Sequence, residues 1–356
     1  MCSKRSSSEN VEKASLLLRA DANVRIGAGH LMRCLALAQA WQETGENAVF
    51  LMDKKTPALE ARLQSDGMEI AYLTAQPGSA DDAGQTVKLA REFGSQWVAV
   101  DGYHFGADYQ KAIKEAEFKL LFIDDYGHAD YYFADLVLNQ NLHADATIYV
   151  GREPYTELLL GTDYALLRRE FLRWRGWERA ISEIAHKVLV TLGGGDPDNI
   201  TLKVIRALQH IGIDGLEVYV VVGETNPHYE ILRAAVNDSH LSMHLKKNVK
   251  DMPDLMAWAD VAISAGGSTC WEMAFMGLPN IILILAENQR LTAELLDRRG
   301  ASLNLGWYEE VSSMRITERL EELSLSNSRR LAMSERSVGL VDGKGAERVV
   351  QKIRTN

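Results

Sequence analysis

Apolar runs of strand length alternate with segments whose apolar residues recur at helical spacing, and this chain goes through that alternation twice. A strand that follows a helical crossover returns parallel to its predecessor, so each series predicts a doubly wound parallel sheet. The first series reads as strands at 15–20, 48–52, 68–73, 97–100, 120–123 and 136–138, with helices between them. The pattern restarts at 187–192 and continues through 216–222, 240–245, 260–263 and 280–285. At ~150 residues per domain, a chain of 356 residues holds two. The expected fold is therefore α/β, with two Rossmann-like domains facing across a cleft. A polar, disordered tail is expected over 1–14, a first domain over 15–178, and a second over 179–356 that ends in a closing helix at 346–353. Near the boundary, Arg168, Arg169, Arg173, Arg175 and Arg179 interleave with Phe171, Trp174 and Trp177, which reads as a solvated interdomain helix.

Composition narrows the function classes. A net charge of −10 argues against a nucleic-acid partner, which would need a basic face. Cys2, Cys34 and Cys270 stand far apart and lack paired spacing with histidines, so neither a disulfide scaffold nor a zinc site is implied, and a reducing cytoplasm fits. The apolar run at 280–286 is too short to span a bilayer, so no membrane insertion is expected. The closing helix is expected to pack within one chain, which makes a monomer the expectation.

The chemistry-bearing residues sit where strands give way to helices. In Ile26-Gly-Ala-Gly-His-Leu-Met-Arg33, Gly27 and Gly29 allow a tight turn and a close approach of backbone to a ligand. His30 stands at the helix start, and an imidazole is the side chain suited to accept a proton near neutrality. Arg33 lies one turn on, on the same helix face, within reach of an anion. Asp21, His30, Asp101, Tyr103, Asp124, Asp125 and Asn139 all follow strands, so they are expected to gather at one rim of the sheet. In the second half, Gly193-Gly-Gly-Asp-Pro197 and Ser264-Ala-Gly-Gly-Ser-Thr269 open helices. The backbone N–H groups of Gly266 and Gly267, the hydroxyls of Ser268 and Thr269 and the positive end of the helix suit a diphosphate. Glu272 has two readings, a ribose-diol contact or the acid of a capping box. Neither half carries the full dinucleotide fingerprint, so NAD is not expected.

Taken together, Arg19-Ala-Asp21, the 26–33 turn, Asp101-Gly-Tyr103, Ile123-Asp-Asp125, Leu138-Asn-Gln-Asn141, the two glycine-rich turns and Asn288-Gln289 resemble the UDP-sugar hydrolases of pseudaminic acid biosynthesis. The resemblance covers nearly all of the chain beyond the tail. It implies the GT-B fold, shared with the glycosyltransferase that adds N-acetylglucosamine to lipid-linked muramyl peptide. It also implies removal of UDP from UDP-2,4-diacetamido-2,4,6-trideoxy-β-L-altropyranose. In that family the histidine of the Gly-x-Gly-His turn is taken to be the base that activates water, which falls on His30. The nucleotide and sugar side of the cleft falls on Gly267, Ser268, Thr269, Glu272, Asn288 and Gln289, and the tyrosine after the Asp-Gly strand end falls on Tyr103. Gly29 and Gly194 fall on the glycine turns, and Arg33 and Asn139 reach the cleft without an assigned role.

The implied chemistry is hydrolysis at the anomeric carbon with inversion. The second-domain turn stabilises the departing UDP, His30 accepts the proton of water, and Asp21 is expected to hold His30 in the useful tautomer. The scheme uses no metal and no other cofactor. Two other readings stay open: a GT-B glycosyltransferase with the same UDP-sugar donor, and a non-catalytic nucleotide-sugar binding protein.

Overall fold

The computed structural model describes residues 15–22, 27–224 and 226–356; the tail expected at 1–14 and Ile26 of the first turn lie outside the described residues. The first domain runs β1 (Ser15–Ala20), α1 (Gly29–Gln42), β2 (Asn47–Met52), α2 (Pro57–Ser65), β3 (Glu69–Tyr72), α3 (Ala80–Glu92), β4 (Ser95–Asp101), α4 (Ala107–Glu115), β5 (Lys119–Ile123), β6 (Leu136–Asn139), β7 (Glu157–Leu160) and α5 (Arg169–Leu172). Among the described residues these strands form a 7-stranded sheet in the order β3-β2-β1-β4-β5-β6-β7, every pair parallel. The second domain runs β8 (Lys187–Thr191), α6 (Ile200–Leu208), β9 (Glu217–Val222), α7 (Tyr229–Asn237), β10 (Ser242–Lys247), α8 (Met252–Trp258), β11 (Val261–Ala265), α9 (Thr269–Phe275), β12 (Asn280–Ile284), α10 (Glu287–Arg298), β13 (Leu303–Trp307), α11 (Ser313–Leu325) and α12 (Asn327–Val338). Its 6-stranded sheet, in the order β10-β9-β8-β11-β12-β13, is parallel throughout as well. A final helix, α13 (Gly345–Thr355), closes the described chain. Both strand orders reverse direction beside the domain's first strand, the point at which doubly wound sheets open a crevice at their carboxyl edge.

Strand parity decides which side chains reach that crevice, because successive residues point to opposite faces. In β1, Leu16, Leu18 and Ala20 pack with Leu31, Cys34 and Leu35 of α1, whereas Leu17 joins the opposite core with Ala83 of α3 and Ile113 of α4. β4 follows suit: Trp97 and Ala99 face α1, and Val98 and Val100 face away. β5 and β6 divide the same way, with Leu121, Ile123, Leu136 and Leu138 on the α1 side and Phe122 and Val137 behind. The apolar residues on both faces are buried, and each fully buried leucine of this kind contributes ~1.5–3 kcal/mol over leaving it in water.

Two expectations about the later chain are corrected. The arginine-rich segment is not an interdomain helix, since it holds only the one-turn α5; Arg169, Arg173 and Arg175 are exposed as expected, whereas Arg168 is buried and Arg179 is drawn in by specific partners. Arg179 donates to the carbonyls of Met256, Ala259 and Met276, and Arg175 to the carbonyl of Gly343 and the carboxylate of Glu347. Burial pushes Arg179 down to about 10, with Asp260 opposing the shift. The closing helix, assigned to the second domain by its place in the chain, packs on the first. Ala346, Val349, Val350 and Ile353 of α13 share the core beneath α1, so the chain crosses back between domains to bury that stripe. Among the described residues, no helix is long and apolar enough to cross a membrane.

Candidate active site between the two domains

The carboxyl edges of the two sheets meet at a cavity of about 360 Å³, a volume suited to a small ligand. Gly27, Gly29, His30, Arg33, Tyr103, Asp125 and Asn141 line it from the first domain; Gly194, Gly266, Gly267, Ser268, Thr269, Glu272, Asn288 and Gln289 line it from the second. The glycine turns of the two domains abut. Gly27 turns at φ 69°, and a Cβ on Gly194 would stand 3.2 Å from the backbone nitrogen of Ala28. A Cβ on Gly29 would lie 3.8 Å from Ser268 Oγ, so the start of α1 faces the loop that opens α9.

His30, the second residue of α1, places its Nδ1 2.5 Å from Asp101 Oδ1. Tyr103 meets the imidazole edge-on, with ring centroids 4.9 Å apart at 82°. Asp101 is fully buried, and Arg33 grips both of its oxygens, Nε to Oδ2 at 2.5 Å and Nη2 to Oδ1 at 2.7 Å. Burial alone would raise the Asp101 carboxyl; the charges of Arg33 and then His30 outweigh it and hold the group well below the usual carboxylate range. Two groups meet Nδ1, the ionised Asp101 at 2.5 Å, which favours a ring proton there, and Arg33 Nη2 at 3.2 Å. With the proton on Nδ1 the lone pair lies on Nε2, which has no partner among the described residues.

Asp21, expected to orient His30, does not do so. It lies on the other face of the sheet, where its Oδ1 takes Arg19 at 2.5 Å and the backbone N–H of Asp53 at 2.9 Å, with His104 Nε2 3.3 Å from Oδ2. Arg19 in turn pairs with Asp82 of α3 at 2.8 Å. The carboxylate that meets His30 is Asp101, the last residue of β4, with the parity of Ala99. Arg33, expected to reach an anion, lines the cleft but commits three of its N–H groups to carboxylates, two to Asp101 and one to Asp125 Oδ1 at 2.7 Å. Asn139 is wholly buried behind the wall, where its Nδ2 donates to the Asp125 carbonyl and to Tyr149 Oη and its Oδ1 accepts from the Asn141 backbone. Gln140 and Asn141 are the residues of that segment that line the cleft, and Asn141 donates to Asp125 Oδ1 at 2.9 Å. Asp124 likewise faces away, holding His128 and Tyr132; burial opposes its charge, but His128 brings it down to about 2.

Tyr103 ties the two sides together. Its hydroxyl donates to Asp125 Oδ2 at 2.6 Å and accepts from Asn288 Nδ2, at the start of α10, at 2.8 Å. Burial and the charge of Asp125 push the phenol far above its ordinary range, so it remains an O–H donor. In the second domain, Gln289 Oε1 accepts from the backbone N–H of Gly266 at 3.2 Å and of Leu285 at 3.0 Å, which braces the glycine loop. The Ser268 side chain does not cap α9, and Ser268 and Thr269 have no side-chain partner among the described residues. The capping-box reading of Glu272 therefore does not hold: its Oε1 pairs with Arg168 Nη2 at 2.8 Å.

Two parallel α/β domains with a polar site between their carboxyl edges define a protein of the GT-B class. Residues 188–353 match the glycosyltransferase family 28 C-terminal domain. The chain is similar to the spore coat polysaccharide biosynthesis protein SpsG of Bacillus subtilis, 29% identical over 245 residues that make up 68% of this chain and 71% of that protein. It is also similar to the UDP-2,4-diacetamido-2,4,6-trideoxy-beta-L-altropyranose hydrolase of Campylobacter jejuni, 25% identical over 287 residues covering 80% of this chain and 97% of the relative. The family named from the motifs is thus among the chain's relatives. MurG of Acinetobacter baumannii has the same fold, with a TM-score of 0.65 at 15% identity over 96% of this chain and 100% of that one.

Proposed function

We propose that this protein hydrolyses a UDP-activated diacetamido-trideoxy sugar at its anomeric carbon with inversion, releasing UDP and the free sugar for nonulosonic (pseudaminic) acid synthesis. The observation that carries the reading is the imidazole of His30, held through Nδ1 by an ionised Asp101 and set opposite the Gly266–Thr269 loop. In this scheme water attacks the anomeric carbon, its proton passes to His30 Nε2, and the bond from that carbon to the UDP oxygen breaks with its electron pair leaving on UDP. The N–H groups of Gly267 and the following residues and the hydroxyls of Ser268 and Thr269 receive the diphosphate, and Glu272 receives the ribose. Asn288 and Tyr103 stand on the sugar side, joined to the base through Asp125 and Arg33. The relative from Campylobacter supports this substrate class by its name.

The family 28 match favours a second reading, a glycosyltransferase with the same donor. Incubating the purified protein with a panel of UDP-, GDP- and CMP-sugars, with no acceptor present, separates the two. Nucleotide release is expected to be fastest from the UDP-diacetamido sugar, at a rate about tenfold or more above any other member, the discrimination that one well-made hydrogen bond to a charged group supplies. Release that begins only when a lipid or glycan acceptor is added would contradict the hydrolase reading.

A further inference from the structure

Five side chains of alternating charge run beside the cleft from one domain to the other. Asp66, which follows α2, pairs with Arg62 at 2.9 Å; Arg62 pairs with Glu170 at 2.9 Å, Glu170 with Arg168 at 3.1 Å, and Arg168 with Glu272 at 2.8 Å. The last pair crosses between domains, since Arg168 immediately precedes α5 and Glu272 lies in α9. Arg168 is 8% exposed, and its guanidinium carbon lies 5.4 Å from the centre of the Phe171 ring. Its two outer nitrogens are both committed to carboxylates, and its buried Nε has no partner among the described residues. Burial works against its charge, and Glu272 and Glu170 outweigh that effect, so the guanidinium stays a firm cation. Glu272 offers Oε1 to Arg168; Oε2 has no protein partner among the described residues, and the residue lines the cleft.

We infer that Arg168 is a positioning residue for the nucleotide, fixing the Glu272 carboxylate so that Oε2 accepts the ribose hydroxyls and making that contact depend on the first domain. The inference rests on the reading of Glu272 as the ribose contact. Without the guanidinium, Glu170 and Glu272 would face each other as like charges, and Glu272 would turn away. An unpaired glutamate also samples several rotamers, and ordering it on binding weakens affinity.

Calorimetric titration of the full chain with UDP and with 2′,3′-dideoxy-UDP tests this. The unsubstituted protein is expected to prefer UDP by about tenfold, the worth of a hydrogen bond to a charged group. In Arg168→Met the preference should fall to within about twofold, with the affinity for dideoxy-UDP unchanged. Arg168→Lys, which keeps the charge but spans only one of the two carboxylates, should lose about threefold of the preference, and it carries the test if Arg168→Met does not fold. A full preference in either variant would overturn the inference. Equal weakening of both ligands would overturn it as well, since that marks a phosphate contact or a general loss of structure. A protein that binds both ligands equally before any substitution would refute the Glu272 contact itself, a failure distinct from that of Arg168.

Discussion

Replacing His30 with Asn is expected to lower the turnover number for UDP release by about 10²–10⁴, the range spanned by general base catalysis, while the affinity for UDP stays within about threefold. The side-chain amide of Asn sits where Nδ1 sits, so Asp101 keeps a donor and the Arg33 network keeps its charges. What is lost is Nε2 and with it the proton acceptor. A coupled assay of UDP release, paired with UDP titration, separates the two effects. Undiminished turnover in His30→Asn would mean that the cleft cleaves nucleotide sugars without using this ring.

Asp101→Asn should have an effect of similar size on turnover and a second one on stability. The amide no longer compels the ring proton onto Nδ1, so a large share of the imidazole presents N–H rather than a lone pair to water; in a related acid–histidine pair the same exchange costs about 10⁴. Arg33 also loses its bidentate partner and keeps only Asp125, so unfolding in urea should show a loss at the lower end of the ~3–5 kcal/mol typical of a broken buried ion pair. The pH dependence follows from the direction of the shift. Asp101 is lowered in the folded protein by Arg33 and His30 acting against burial. Its contribution is therefore fully present above the unfolded carboxyl value of ~3.9 and disappears as pH falls through the lower folded value. The stability gap between Asp101→Asn and the unsubstituted protein should be constant from about pH 5 upward and close only in acid.

The alternation of strands and helices, and the residues at their junctions, made most of this site legible. His30, Tyr103, Asn288, Gln289 and the Gly266–Thr269 loop all fall at the carboxyl edges of strands, where a doubly wound sheet must open its crevice. The choice among these polar residues was harder, because Asp21, Asp101, Asp124, Asp125 and Asn139 all stand at or just past the carboxyl ends of strands. Parity resolves it. Asp21 shares the face of Leu17, Asp124 that of Phe122 and Asn139 that of Val137, away from α1; Asp101 and Asp125 share the face of Ala99 and Ile123, toward it. That signal was present in the sequence, but using it required knowing which face α1 covers. Arg168 carried no such mark. Its partner Glu272 lies more than a hundred residues away in the other domain, and an arginine among four others in a basic stretch reads as surface until the domains are brought together.

The most direct test is to follow the reaction in ¹⁸O-labelled water with no acceptor present. Attack of water at the anomeric carbon, opposite UDP, predicts that the label enters the anomeric hydroxyl of the sugar, that UDP stays unlabelled, and that NMR detects the inverted anomer first. Label in the UDP, or no cleavage until an acceptor is supplied, would contradict hydrolysis by a water that His30 activates.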